Sequence, residues 1–282
     1  MTPDHAKASR DLLAFYIEAG VDAPIGEAAN DYLSPPAAAA ATPRAEPARQ
    51  DLIGNGAPTR SADRRPGGAA AMPPSAPAVP EAAVMAAREA ARRAATLEEL
   101  RAILDRFDGC ALKATASQLV FADGNPQARL MLVGEAPGRD EDIEGLPFVG
   151  RSGKLLDLML KAIGLDRSQA YIANIVPWRP PGNRTPTPVE TQICLPFIQR
   201  QIELADPDVL VTVGQPSTGA LLGVQGITKN RGRWFGYQTG SREIRAMPML
   251  HPAYLLRTPI AKRLAWRDML AIRKALDEAR GR

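Results

Sequence analysis

From residue 107 onward the chain alternates short apolar runs with helical patterns, and that alternation restricts its fold more than any other feature. Four runs, "RLMLVG", "AYIANIV", "DVLVTVG" and "IRAMPML", are each too short for a helix and predominantly apolar, the pattern of strands covered on both faces. Between them lie stretches such as "SGKLLDLMLKAIG", in which Leu155, Leu156, Met159 and Ile163 recur at helical spacing. Such alternation predicts an α/β fold, a three-layer αβα sandwich around a central four-stranded parallel sheet. Upstream, "VPEAAVMAAREAARRAA" reads as a helix, and a second begins at Thr96, which has capping-box spacing to Glu99.

In a sheet of this kind ligands bind at the carboxyl ends of the strands. The first run ends at Gly134 and Glu135. The second carries Asn174 and leads into "PWRPPGNRTP", the third ends at "GQPSTG", and the fourth at His251. One pocket would collect all four. The loop after the first run, residues 134–150 ("GEAPGRDEDIEGLPFVG"), holds five carboxylates, four glycines and two prolines. A charge run is most often solvated surface, so its meaning depends on its neighbours.

Composition divides the rest. Residues 34–78 are dominated by Ala, Pro, Gly and Arg with few large apolar side chains, too little to offset the entropy of ordering a backbone. A disordered linker is expected there. Residues 1–33 read as an amino-terminal helical segment, with Thr2 as cap, Pro3 at the first helical position, Gly20 past the end, and Leu12, Leu13, Tyr16 and Ile17 on one face. Residues 79–282 form the main domain. No signal peptide and no membrane-spanning run is read, so a soluble cytoplasmic protein is expected. Two cysteines, Cys110 and Cys194, and two histidines, His5 and His251, exclude a disulfide framework and disfavour a zinc site. The formal charge is +4, but residues 227–282 hold thirteen Lys or Arg against four Asp or Glu. That excess points to an anionic partner, nucleic acid before membrane, against the plainer reading of a solubilising tail.

Individual residues sharpen this. Asn174, inside an apolar run, needs a partner, because an unpaired buried amide costs about 1–3 kcal/mol. It either bonds a loop backbone or faces a base edge, where its acceptor and donor match uracil N3 and O4; discrimination then requires neighbours that lock the amide. His251 is the only histidine of the main domain. Leu255 and Leu256 follow it, then Arg257, Lys262 and Arg263; leucines among cations suit a wedge in a base stack, unless they face the core. Phe148 offers a stacking face or a core plug. Arg184 in "RPPGNRTP" and Arg233 in "NRGRW" contact phosphate or water.

Together, "GEAPGRDED", "GLPFVG", "NIVPWRPPGNRTP" and "HPAYLLR" resemble the uracil-DNA glycosylase superfamily, closest to family 4, over residues 107 to about 278. The resemblance implies hydrolysis of the N-glycosidic bond of deoxyuridine flipped out of DNA, with uracil-containing DNA as partner and free uracil as product. It places Glu135 beside the sugar as the group that orients water, His251 on uracil O2, Phe148 on the ring, and Asn174 on N3 and O4, with Gly134 and Ala136 completing the uracil site. Of Asp140, Glu141 and Asp142, Glu141 is expected nearest the pocket, with a catalytic part, crowding the position of a thymine methyl. Arg184, Arg233, Leu255, Leu256, Arg257, Lys262 and Arg263 are the expected DNA contacts. Family 4 members bind a four-iron cluster through four cysteines; the matching positions here read Phe107, Cys110, Trp178 and Cys194, so no metal and no cofactor is expected. Relatives that attack the sugar with a histidine carry an Arg-rich insert after the strand bearing Asn174. This chain has none, which implies hydrolysis without a covalent DNA adduct. A monomer is expected. The rival readings are a non-catalytic sensor of uracil-containing or damaged DNA and a nucleotide-binding Rossmann-like enzyme; the latter is disfavoured because the first turn is not G-x-G-x-x-G and its acid repels pyrophosphate.

Overall fold

A computed structural model describes residues 81–279. The expected amino-terminal helix and linker therefore lie outside the described residues. The chain opens with helices α1 (Glu81–Arg93) and α2 (Leu97–Arg106). Thr96 caps α2, its hydroxyl accepting from Glu99 N at 3.2 Å, while the Glu99 carboxylate returns to Ala95 N at 2.6 Å, so two otherwise orphaned amides are satisfied.

The four apolar runs become strands β2 (Leu130–Gly134), β3 (Tyr171–Asn174), β4 (Val209–Val213) and β6 (Glu243–Met249). They pair in parallel in the order β3-β2-β4-β6, as the alternation predicts. Two edge strands extend the sheet to six: β1 (Asp123–Gly124) runs antiparallel to β3, and β5 (Phe235–Gln238) antiparallel to β6.

Alternate side chains of each strand build two cores. Met131, Val133, Tyr171, Ala173 and Leu210 face α1, α2 and the long helix α5 (Pro188–Ala205), whereas Leu130, Leu132, Ile172, Val209 and Val211 face α4 (Arg151–Ala162) and α9 (Lys262–Ala279). Three shorter helices stand at the carboxyl edge: α3 (Arg139–Glu144) after β2, α6 (Gln215–Leu222) after β4 and α8 (Pro252–Arg257) after β6; α7 (Ile227–Asn230) leads toward β5. Among the described residues no helix is long and apolar enough to cross a membrane.

The four positions that match cluster ligands in family 4 converge in the core beneath α5. Cys194 Sγ lies 3.9 Å from Cys110 Sγ, both thiols are buried, and the Trp178 ring is buried in the same cluster, against which Phe107 packs. Phe107 also meets Phe197 edge to face, with ring centroids 4.9 Å apart. The hydrogen bond to Cys110, with burial, raises the Cys194 pKa well above that of an ordinary thiol, which keeps it protonated. Two thiols and two aromatic rings do not fit a four-iron cluster, which needs a full set of deprotonated ligands. The rings supply apolar area instead, worth about 25 cal/mol per Å² removed from water. Anaerobically purified protein is therefore expected to be colourless and iron-free. A Phe107→Cys, Trp178→Cys double variant, which completes four thiols, should take up iron and a visible chromophore on reconstitution. Stoichiometric iron in the parent protein would contradict this account of the core.

Candidate active site

A cavity of about 570 Å³ opens at the carboxyl edge of the sheet, lined among others by Glu135, Ala136, Phe148, Asn174, Arg184, Thr185, Gln215, His251 and Arg257. All four strand ends contribute, as the sequence suggests.

Asn174 ends β3 and is only 5 % exposed, yet its amide hydrogen-bonds no described residue. Its open donor and acceptor face the cavity. Among the described residues none of the neighbours expected to lock the amide hydrogen-bonds it. Across from it on β2, a Cβ on Gly134 would lie 2.4 Å from Asn174 Oδ1 and 2.7 Å from Phe148 Cζ. Only glycine lets amide and ring close over the strand end; Gly134 is thus the floor of the site rather than part of its lining.

Phe148 is buried and has φ 55°, a left-handed conformation that costs a residue with a side chain about 1–3 kcal/mol. The surrounding hydrogen bonds determine it. Glu141 Oε1 accepts from Val149 N and Gly150 N at 3.1 and 3.0 Å, and Oε2 from Gly138 N at 3.0 Å. Arg167 donates to the carbonyls of Pro147 and Phe148, and its guanidinium is held in turn by Asp123 and Asp157. A Cβ on Gly153 would overlap the Phe148 carbonyl oxygen at 1.6 Å, which is why the first turn of α4 carries glycine where it meets this loop. The ring ends stacked beside His251, centroids 5.6 Å apart and planes 27° from parallel.

The loop acids separate by role. Glu141 lines the cavity wall, but both its oxygens are bound by backbone amides; this corrects the expected catalytic part, because no free oxygen remains to act on a ligand. Asp142 is buried and binds Ser117 N and Oγ at 2.8 and 2.9 Å. Asp140 and Glu144 are exposed. Of the two loop acids that line the cavity, Glu135 is the one with an unengaged oxygen: its buried Oε1 has no hydrogen-bond partner among the described residues. Burial pushes the Glu135 pKa above the usual glutamate value, and a hydrogen bond from the Thr185 hydroxyl works against that rise.

His251 caps α8: its Nδ1 accepts from Ala253 N at 3.1 Å, with Pro252 at the first helical position. Nδ1 is therefore unprotonated. Burial, then the charge of Arg257, lowers the His251 pKa to about 4. At neutral pH the ring is uncharged, with its proton on Nε2.

The expected DNA contacts divide. Arg257 lines the cavity, is exposed and has no ion pair among the described residues; Arg184 lines it too, but is gripped by Glu190 at 2.6 and 2.8 Å. Leu256 is half-buried at the surface. Leu255 is 1 % exposed, packed with Leu250, Ala261 and Ala265, which rules it out as a wedge: α8 turns it away from the cavity. Arg233, Lys262 and Arg263 are exposed but outside the lining. The sequence reading assigned no role to Thr185 or Gln215. Gln215 Oε1 accepts from Ile227 N, and its amide nitrogen reaches Val224 O, so it ties α6 to the start of α7. Its place right after the third strand was the available signal.

Comparison with known proteins agrees with this geometry. The family described as the uracil DNA glycosylase superfamily matches residues 121–270. A type-4 uracil-DNA glycosylase of Sulfurisphaera tokodaii is 39 % identical over 64 % of this chain and 84 % of its own length. One from Thermotoga maritima is 42 % identical over 57 % and 86 %, and one from Archaeoglobus fulgidus 38 % over 53 % and 78 %. The family match spans more than half of the chain, and these relatives are matched over most of their own length; the chain belongs to the uracil DNA glycosylase superfamily.

Proposed function

We propose that the protein excises uracil from DNA, acting as a monomer in the cytoplasm on a deoxyuridine flipped into the cavity. The observation that supports this most is the buried Asn174 amide, which has no hydrogen-bond partner among the described residues and lies beside the Phe148 ring. A planar ligand with one donor and one acceptor on an edge, which uracil supplies at N3 and O4, satisfies that amide while its face meets the phenyl ring. Extruding the base costs a few kcal/mol of stacking and pairing, and the preformed pocket offsets that cost.

As the bond between C1′ and N1 breaks, its electron pair goes to uracil and positive charge develops on the sugar. The neutral His251 Nε2–H then donates to O2, where the anion accumulates, and such a bond strengthens most in the transition state. The Glu135 carboxylate faces the opposite charge, orients a water toward C1′ and takes its proton as the new C–O bond forms. The departing uracil anion takes a proton from solvent and leaves as free uracil, Glu135 returns its proton to solvent, and the DNA keeps an abasic site. Arg257 and Arg184 at the mouth, with Lys262, Arg263 and Arg233 beyond it, hold phosphates; Leu256 is the leucine of α8 left to enter the stack. Glu141 acts through the loop as a positioning residue.

Three experiments test the reading. Uracil-containing and normal oligonucleotides are incubated with protein and abasic sites cleaved with alkali; only the first should be cut. The rate should fall on the acid side at a pH above the ordinary glutamate range, because the raised Glu135 pKa means protonation begins sooner, while His251 stays neutral down to about pH 4. Glu135→Gln should abolish that limb and slow excision on the order of 10²- to 10⁴-fold. Binding of uracil-containing DNA without any excision would instead support the sensor. Asn174→Asp should lose uracil excision, since a carboxylate accepts from cytosine N4 but cannot donate to uracil O4. Wild-type excision by this variant, with no gain in cytosine binding, would remove Asn174 from base reading.

A further inference from the structure

On the side of α8 away from the cavity lies a groove of about 230 Å³ between α4 and α9, lined by Leu155, Leu158, Met159, Leu255, Trp266 and Met269 among others. Its rim exposes large apolar side chains in one place: Leu158 is 63 % exposed, Trp266 45 % and Leu270 47 %. Exposed apolar residues are ordinary when scattered, whereas a contiguous patch marks a contact surface. Lys262, Trp266 and Leu270 follow one another at i, i+4 and i+8 along α9, and Lys154, Leu158 and Lys161 run along α4. Two helices thus border an apolar furrow.

The charges around it do not balance. Lys154, Lys161 and Arg267, none of them among the proposed DNA contacts, are exposed, and none has an ion pair among the described residues. Every acid on the two helices is already engaged: Asp157 by Arg167, Asp268 by Arg231, Asp277 by Arg273 and Glu278 by Arg245. The furrow therefore offers apolar anchors inside a ring of free cations.

We propose that this groove docks an acidic amphipathic helix of a partner protein. Helix-in-groove recognition uses apolar anchors at i, i+3, i+4 and i+7, and carboxylates on the flanks of such a helix meet the unpaired cations, which steers association and fixes register. A second copy of this chain fits less well, because a two-fold contact sets like charges against one another. A DNA strand brings phosphates for the cations, but the walls are mainly aliphatic and Trp266 is the one aromatic of the lining, whereas single-strand tracks rely on repeated aromatic platforms. Because Ala253 and Arg257 of α8 line the cavity while Leu255 lines the groove, a bound helix lies beside the cavity without blocking it.

The test is a fluorescence anisotropy titration of the full-length protein with a labelled synthetic helix carrying Leu and Phe on one face and Glu on the others. Its counterpart with Lys for Glu and a single-stranded oligonucleotide serve as competitors. The acidic helix should bind with a Kd on the order of 10 µM, weakening as salt rises, and the Lys counterpart at least about tenfold more weakly. Trp266→Ala, Leu158→Ser and Lys161→Glu should each weaken the acidic helix by about tenfold or more while leaving uracil excision and the melting temperature unchanged. Equal binding of both peptides, or wild-type binding by these variants, would overturn the proposal. So would displacement of the helix by the oligonucleotide, which would make the groove a DNA track, or concentration-dependent self-association through Trp266.

Discussion

The site depends on one carboxylate that performs no chemistry. Glu141 gathers the amides of Gly138, Val149 and Gly150, and Arg167 holds the carbonyls on the other side of the same turn. Between them Phe148 stays at φ 55°, a conformation that an unsupported phenylalanine would abandon. Release of this clamp would let the ring swing off Gly134, leaving Asn174 and His251 without the face against which a planar ligand is pressed. The loop is dense in glycine and acid because backbone must pass close to backbone there, and because carboxylates are the acceptors that satisfy several inward amides at once.

The second constraint is the edge of the parallel sheet. Each strand end supplies a different kind of group: an acid from β2, an amide from β3, a helix start from β4 and a histidine from β6. Burial raises the affinity of Glu135 for a proton and lowers that of His251, since low dielectric disfavours charge on either. Their consequences differ. A neutral His251 with its proton on Nε2 is ready to donate, whereas Glu135, its pKa raised by burial, takes up a proton sooner than an ordinary glutamate as the pH falls.

Most of this frame was legible in the sequence, because a buried parallel strand writes a short apolar run and its carboxyl end writes the break in that run. The cap at Thr96 was legible for the same local reason. What was missed needed information beyond sequence neighbours. Strands β1 and β5 are two and four residues long and contain glycine, with no alternation to detect. The two leucines of α8 are adjacent, and which one is buried depends on the phase of a six-residue helix. Glu141 was expected nearest the pocket, with a catalytic part; only the fold reveals that the amides of Val149 and Gly150, eight and nine residues on, return to it. The residues at the positions that the resemblance assigns to cluster ligands were legible as identities, but that the two rings and two thiols close into one core is a tertiary fact.

On the proposed reading, a clamped phenylalanine and an amide with no partner among the described residues form a preorganised uracil site. A crystal structure of the protein soaked with free uracil tests it most directly. The account predicts the ring lying on Phe148 with the turn unmoved, N3 and O4 on the Asn174 amide, and O2 at His251 Nε2. Uracil bound elsewhere, or bound with Phe148 turned out of the left-handed region and Asn174 unpaired, would contradict it.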